Sequence, residues 1–159
     1  MKNMVQNNES IKDAHVRIQK YLHKTPVLFS ETLNKMLGNN IYFKMDAMQK
    51  TGSFKVRGVL NHLLYLKEHD KLPKKIVAYS TGNHALAIGY ISSLFGIESR
   101  VYLPANVSPI KKRIAKHYGA NVIEVKTRLE AERLSIEDGN NGFYYLHPSD
   151  DDMTIAGAG

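Results

Sequence analysis

The sequence predicts an α/β fold built on a parallel sheet. From Asn40 onward, short runs rich in β-branched and aromatic residues alternate with stretches whose apolar residues recur at helical spacing. Glycines stand where a helix is expected to end before the chain re-enters the sheet, at Gly38, Gly96, Gly119 and Gly139. This repeated order of strand, helix and glycine is typical of βα units.

An amphipathic helix precedes the alternation. Ser10 is a candidate N-cap with Asp13 three residues later, and Pro26 disfavours helix at Thr25. Strands are then predicted at residues 41–45, 76–79, 100–103, 121–125 and 143–146, and helices at residues 56–66, 84–95 and 109–118. A last helix is predicted between Thr127, which forms a capping box with Glu130, and Gly139.

Composition and charge exclude several classes of protein. The 22 Lys and Arg residues against 15 Asp and Glu give a net charge of +7, but the basic residues are scattered among carboxylates. No aromatic-rich basic stretch offers a surface for nucleic acid, and no apolar run approaches the ~20 residues of a membrane helix. The chain has no cysteine, which excludes a disulfide scaffold, a thiolate metal site and a cysteine nucleophile. Its start lacks the apolar stretch of a secretory signal. We therefore expect a cytoplasmic protein with no nucleic-acid or membrane partner.

One candidate for chemistry is the segment KMDAMQKTGSFKVRG, residues 44–58. Lys55 follows a Thr-Gly-Ser turn and enters the first turn of a predicted helix, next to Phe54. The helix dipole disfavours a cation there, and the neighbouring ring removes water, so both lower the pKa of the amine. A neutral amine suits Schiff-base chemistry, whereas the alternative is an ordinary solvated lysine on a helix.

The second candidate is STGNH, residues 80–84, between a predicted strand and the helix that it feeds. Open α/β sheets bind ligands at the carboxyl ends of their strands, and the amides that start a helix favour anions. The alternative is an ordinary N-cap and turn, since Ser, Thr and Asn are favoured there in any case.

Other catalytic motifs are missing from the sequence, which has no Walker loop, GxGxxG, HExxH or GxSxG. We predict no metal site, because the remaining histidines lack metal-ligand spacing and are interpreted as surface or helix residues: His15, His23, His62, His69, His117 and His147.

The motifs QKTGSFKVRG and STGNHA together closely resemble those of the fold type II pyridoxal-phosphate enzymes, in the threonine dehydratase and serine racemase branch. The resemblance covers most of the chain, through TPVLFSETLN, LPANVSPIKKRIAKHYGANVIEV and HPSDDDMTIAGAG. It implies an open, twisted parallel sheet with helices on both faces, as in the tryptophan synthase β fold.

The resemblance also implies a cofactor, pyridoxal 5′-phosphate, and residues that hold it. Lys55 would form the internal aldimine and later remove the substrate α-proton. Phe54 would lie near the cofactor ring, and Asn83 would bind its 3′ oxygen.

A small amino acid is the substrate that the resemblance implies. Ser80, Thr81, Gly82 and His84 would hold its carboxylate, together with backbone amides of their loop. The expected reaction is β-elimination from L-threonine or L-serine to a 2-oxo acid and ammonia. Thr81 stands where the racemases typically carry a serine that reprotonates the opposite face of the substrate. Threonine adds a methyl group and is stiffer at χ1, which disfavours racemisation, but it keeps the hydroxyl. Thr81 is therefore a candidate catalytic residue, and a serine-racemase-like enzyme is kept as an alternative. A second alternative is a noncatalytic binding module of the same family.

Domain organisation is likewise implied by the resemblance. Residues 1–68 would form part of a large domain carrying the Schiff-base lysine, residues 72–150 a small βα domain with the substrate loop, and residues 151–159 the start of a return to the large domain. In the family, about as much chain again follows, with a glycine-rich loop for the cofactor phosphate. We therefore expect a truncated chain that associates as a homo-oligomer or with a complementary C-terminal chain.

Overall fold

Parallel strands joined by helices make up most of the protein. The computed structural model describes residues 8–159, in which the elements follow one another as α1 (Asn8–Ile18), β1 (Val27–Phe29), α2 (Glu31–Leu37), β2 (Tyr42–Lys44), α3 (Lys55–Glu68), β3 (Lys75–Tyr79), α4 (Asn83–Phe95), β4 (Glu98–Pro104), α5 (Pro109–His117), β5 (Asn121–Val125), α6 (Arg128–Asn140), β6 (Tyr144–Tyr145) and α7 (Asp152–Ala158). The predicted α/β class is confirmed. Among these residues, no helix combines the length and apolar character needed to cross a bilayer.

The main sheet has the strand order β5-β4-β3-β6, with every neighbouring pair parallel. The chain leaves β3 toward β4 and β5 and returns through α6 to place β6 on the other side of β3. Ligands of open parallel sheets bind outside the carboxyl ends of the strands, at the point where the strand order reverses. The loops that follow β3 and β6 therefore lie where a binding site is expected.

Helices cover both faces of this sheet. On β3, Ile76 and Ala78 belong to the larger core cluster with α3 and α4, whereas Val77 and Tyr79 join a second cluster that contains Ala131 of α6. Successive residues of a strand point to opposite faces, so a strand covered on both faces needs a continuous apolar run. The run from Ile76 to Tyr79 meets this requirement, and all four residues are buried.

Helix α7 packs closely along α3, the helix that begins at Lys55. A Cβ atom on Gly58 would lie 2.5 Å from the Thr154 carbonyl oxygen, and one on Gly157 would lie 2.5 Å from Asn61 Cβ. Asn61 Nδ2 also donates a hydrogen bond of 2.7 Å to the Met153 carbonyl. The two glycines allow a backbone approach that any larger residue would obstruct.

A buried polar network joins the same two helices. His62 lies on α3, as a helix residue was expected to, but it is buried rather than at the surface. Its Nδ1 lies 2.8 Å from Asp151 Oδ1, and its Nε2 lies 2.7 Å from the Tyr144 hydroxyl. Burial raises the pKa of Asp151, but the hydrogen bond and charge of His62 and two backbone amides outweigh burial and hold it below its usual value.

Three local predictions were wrong. Ser10 is not an N-cap, because its backbone already lies within α1. The strand predicted at residues 41–45 is present as β2, but it pairs antiparallel with β1, apart from the parallel sheet. Helix α6 ends at Asn140, near Gly139 as predicted, but Gly139 is not the left-handed residue after the helix; that conformation is found at Gly142 (φ 94°). Gly139 instead faces Tyr145, whose Cβ would lie 3.0 Å from a Cβ there.

The two-stranded sheet and α2 expose many apolar side chains. These are Val27, Leu28, Phe29, Leu33, Met36, Leu37, Tyr42 and Phe43, each more than a third exposed. An isolated two-stranded sheet is marginally stable in water. The segment from β1 to β2 therefore leaves much of its apolar surface uncovered.

Candidate active site

The loop after β3 is shaped by Ser80. Its buried Oγ accepts hydrogen bonds from the backbone N–H groups of Gly82 (3.0 Å) and Ala85 (3.1 Å). These bonds fold the chain tightly into α4, which begins at Asn83. The first N–H groups of a helix have no intrahelical acceptor and carry partial positive charge, so this turn presents donors to an anion.

Gly82 is required at the centre of this turn. Its backbone has φ 157° and ψ −98°, a combination that glycine adopts and larger residues avoid. A Cβ at this position would also lie 2.9 Å from Nζ of Lys111. The side chains on either side of it, Thr81 and Asn83, are exposed to the cavity described below.

Lys55 is the first residue of α3 and faces the same region. Its Nζ donates a hydrogen bond of 2.9 Å to the Pro148 carbonyl, in the loop after β6, and lies 5.2 Å from the centre of the Phe54 ring. Partial burial lowers the pKa of the amine from its usual 10.5. The neutral, nucleophilic form is therefore more accessible here than on a solvated lysine.

His84, the second residue of α4, is a buried, neutral base. Its Nε2 lies 3.4 Å from the Leu146 carbonyl, which can only accept, so Nε2 carries the hydrogen. Nδ1 is buried and has no hydrogen-bond partner in the protein. Burial lowers the pKa of His84 to about 3, with smaller contributions from the charges of Lys55 and His147.

One cavity of about 340 Å³ brings these groups together. All the residues singled out in the sequence line it: Phe54, Lys55, Ser80, Thr81, Gly82, Asn83 and His84. The two sequence motifs are thus neighbours in space, although β3 and α3 separate them along the chain. This arrangement can hold an anion at the start of α4 while offering an amine to a reacting carbon.

Further lining residues were not found from the sequence. They are Tyr79, Lys111, Arg128, Pro148 and Ser149. Apart from Tyr79, which ends β3, they lie on segments that follow β4, β5 and β6. The rule that ligands gather at the carboxyl ends of parallel strands would have pointed to these segments, but not to the individual side chains.

A larger cleft of about 550 Å³ lies elsewhere, beside α1 and the end of α7, and is lined in part by Lys44, Asp46, Arg57 and Gly159. None of the predicted site residues at positions 54, 55 and 80–84 lines it. Three charged residues of the segment 44–58 do, but they are engaged: Arg57 Nε lies 2.6 Å from Asp46 Oδ2, and Lys44 Nζ donates a hydrogen bond to the Thr25 carbonyl. The smaller cavity is therefore the candidate active site. Residues 8–159 hold no group of three His, Asp or Glu side chains placed to bind a metal ion.

Comparison with known proteins identifies relatives that match most of this chain. A family profile described as "Pyridoxal-phosphate dependent enzyme" matches residues 18–159. The chain is 39% identical over 153 residues to serine racemase of Dictyostelium discoideum, covering 95% of this chain and 47% of the relative. It is 34% identical over 154 residues to serine racemase of Homo sapiens, covering 94% of this chain and 45% of the relative. The chain thus spans about half the length of the curated relatives it matches.

Solved structures of similar fold superpose on most of this chain. A pyridoxal 5′-phosphate-dependent aspartate racemase superposes with a TM-score of 0.87 at 32% identity, over 99% of this chain and 50% of that one. A threonine deaminase from T.th. superposes with a TM-score of 0.81 at 34% identity, over 95% and 48%. The predicted type II fold is confirmed. The chain belongs to the pyridoxal-phosphate-dependent enzyme family, whose cofactor is pyridoxal 5′-phosphate.

Proposed function

We propose that the site serves β-elimination from L-threonine or L-serine, giving a 2-oxo acid and ammonia. The observation that carries the proposal is the shared cavity, in which the Lys55 amine faces the loop of residues 80–84. Threonine deaminase is among the solved structures that superpose on most of the chain. The family supplies an electron sink, and the chain supplies an amine and an anion-binding turn beside it.

The cavity fits the cofactor of the family. Lys55 is half-buried with a lowered pKa, as an amine that reacts with an aldehyde requires. The Phe54 ring, 45% exposed, offers an apolar face beside that amine, and the exposed Asn83 amide offers a donor at the start of α4. Lys55, Phe54 and Asn83 would hold the group, which when bound withdraws electrons from the substrate Cα and makes its proton acidic.

The residues of this chain would then bind the substrate and move its protons. The free amides at the start of α4 and the Thr81 hydroxyl bind the α-carboxylate, since the helix terminus favours an anion. Lys55 Nζ accepts the proton from Cα, because its lowered pKa leaves a fraction of the amine neutral. The Cβ–O bond then breaks, and the hydroxyl takes the proton that Lys55 Nζ accepted and leaves as water. Hydrolysis of the C–N bond then consumes one water, so threonine yields 2-oxobutanoate and ammonia.

Serine racemisation is the second candidate. The curated relatives at 39% and 34% identity are serine racemases. Racemisation needs a proton donor on the face of Cα opposite to Lys55, and the Thr81 hydroxyl lines the cavity with its side chain exposed. Threonine is stiffer at χ1 than serine, so its hydroxyl reaches fewer positions.

Product analysis separates the two reactions. The purified chain is loaded with pyridoxal phosphate, and the visible absorbance of the bound cofactor is used to follow loading. The loaded chain is then supplied with L-threonine or L-serine. Release of 2-oxobutanoate or pyruvate with ammonia supports elimination, whereas D-serine without pyruvate supports racemisation. Lys55→Ala should abolish both the absorbance and turnover, while Lys67→Ala, at the exposed end of α3, should change neither. A loaded chain that turns over no substrate would contradict the proposal and favour a noncatalytic binding module.

A further inference from the structure

A loop contact holds the amine of Lys55. Its Nζ donates a hydrogen bond of 2.9 Å to the Pro148 carbonyl, which can only accept. A neutral amine that donates one N–H in this way keeps its lone pair free, because the lone pair is directed away from the carbonyl oxygen. The contact therefore orients the amine without blocking its reaction. Lys55 and Pro148 lie 93 residues apart in the chain, so the contact depends on what holds the loop.

The loop of residues 147–150 is a compact turn between β6 and α7. Within it, His147 Nδ1 accepts hydrogen bonds from the backbone N–H groups of Ser149 (3.1 Å) and Asp150 (2.7 Å). These bonds tie the turn to itself rather than to the rest of the molecule. The place of the Pro148 carbonyl is therefore set by the two points at which the chain enters and leaves the turn.

His62 binds the chain on both sides of this turn. It follows Lys55 by about two turns of α3, so the two side chains lie on the same side of the helix. Its Nε2 lies 2.7 Å from the hydroxyl of Tyr144, on β6. Its Nδ1 lies 2.8 Å from Oδ1 of Asp151, the N-cap of α7. The rings of His62 and Tyr144 also pack edge to face, with centroids 5.6 Å apart.

The hydrogen bonds of His62 satisfy both ring nitrogens. The Asp151 carboxylate can only accept, so Nδ1 carries a hydrogen. In the neutral ring Nε2 is then an acceptor, and the Tyr144 hydroxyl donates to it. His62 is only 4% exposed, so water competes little for these bonds. Removing the imidazole would leave the Tyr144 hydroxyl without this partner and the Asp151 carboxylate with one donor fewer.

We propose that His62 is a positioning residue for Lys55. By holding β6 and the start of α7, it fixes the turn between them and so the Pro148 carbonyl that receives the amine. The inference rests on the proposed function, in which Lys55 reacts with the cofactor. A free lysine side chain samples many rotamers, whereas a group held near its reactive geometry reacts faster. Loss of His62 should therefore slow the chemistry of Lys55, although His62 does not line the cavity.

A purely structural role for His62 is the alternative. Helix α7 is also held against α3 by the close approach at Gly58 and Gly157, and β6 is held by its pairing with β3. If these contacts alone placed the turn, removing His62 would lower the stability of the chain and leave the amine of Lys55 where it is. A measurement on Lys55 itself, rather than on stability, therefore separates the two roles.

The test compares His62→Ala and Tyr144→Phe with a control, Ile91→Val. Tyr144→Phe removes only the hydroxyl that meets His62 Nε2. Ile91→Val lowers stability by removing a buried methylene group of α4, but it removes none of the polar groups that hold the turn.

Two measurements are made on each variant. In the cofactor-free protein with isotope-labelled lysine, NMR resolves the geminal Hε protons of a fixed side chain and merges those of a freely rotating one; Lys55→Arg assigns the signal. The rate at which pyridoxal phosphate couples to Lys55 is followed by visible absorbance, and the modified residue is identified after borohydride trapping.

Wild type and Ile91→Val should show resolved Hε resonances for Lys55. His62→Ala should merge them and slow coupling at least about tenfold, which corresponds to the loss of one hydrogen bond. Tyr144→Phe should give a smaller change in the same direction. Resolved resonances or an unchanged coupling rate in His62→Ala, or an equal loss in Ile91→Val, would overturn the proposal.

The design remains decisive in two further cases. If His62→Ala does not fold, wild-type behaviour of Tyr144→Phe would overturn the proposal. Because the resonances are measured without cofactor, they test the position of Lys55 even if pyridoxal phosphate couples to another lysine. That outcome would overturn the proposed function, on which this inference rests, while the resonances would still show whether His62 holds the amine.

Discussion

Lowering the pH should destabilise the protein through His84. In the folded chain the pKa of His84 is about 3, because burial excludes the charged form, whereas an exposed histidine has a pKa of 6.5. The unfolded chain therefore binds a proton that the folded chain does not between these two values. The stabilisation is fully present above pH 6.5 and is lost as the pH falls toward 3. Between pH 7.5 and 5.0 the loss from this residue is about 2 kcal/mol.

Urea unfolding at the two pH values measures this loss. Other groups also titrate, so the informative quantity is the difference between wild type and His84→Gln, which keeps a donor for the Leu146 carbonyl but does not titrate. The wild type should lose about 2 kcal/mol more than the variant, while the exposed control His117→Gln should behave as wild type. Should His84→Gln not fold, NMR titration of the imidazole gives the same information. A His84 resonance that titrates near pH 6.5 in the folded protein would show that burial does not keep this imidazole neutral.

Three further variants test contacts that position the site. Gly157→Ala should lower the free energy of unfolding by about 1–3 kcal/mol or more, because its Cβ would overlap Asn61; unchanged stability in chemical denaturation would mean that the two helices are less tightly packed. Ser80→Ala should cost about 1–3 kcal/mol and weaken anion binding, since the Gly82 amide loses its acceptor; Ser93→Ala on the exposed side of α4 is the control, and equal effects would contradict this role. Asp46→Asn should cost about 1–3 kcal/mol in urea unfolding by removing the paired charge from Arg57, and no loss would show that the pair is solvated.

The parallel sheet was predictable because its strands are short runs rich in β-branched and aromatic residues, and the central strands β3 and β4 are largely buried. Residues 121–125 were predicted and observed as β5 with the same bounds, and the cores of β3 and β4 were also located. The strand β1 was missed, because Val27–Phe29 is exposed throughout and has no alternation of apolar and polar residues. Its partner β2 was found as a strand but assigned to the wrong sheet, since pairing depends on contacts that periodicity does not encode.

The residues of the candidate site that belong to the two sequence motifs could be predicted from the sequence. Lys55 and the loop of residues 80–84 were each singled out by a turn before a helix, with an ordinary lysine and an ordinary N-cap left as alternatives. The resemblance of the two motifs to the family assigned their roles, and they line one cavity. Lys111 and Arg128 could not be found in this way, because a single basic residue at a helix start has no distinctive local pattern. The helical position of His62 was predicted, but its burial was not, because it depends on Asp151 and Tyr144, which lie more than 80 residues away in the chain.

We expect Lys55 to be the residue that reacts with the cofactor at this cavity. The direct measurement is to incubate the chain with pyridoxal phosphate, reduce with borohydride, and map the modified peptide by mass spectrometry. We expect a phosphopyridoxyl group on Lys55 at an occupancy well above that on any of the other lysines, and its absence in Lys55→Arg. Modification spread evenly over exposed lysines, with Lys55 no more labelled than Lys67, would contradict it.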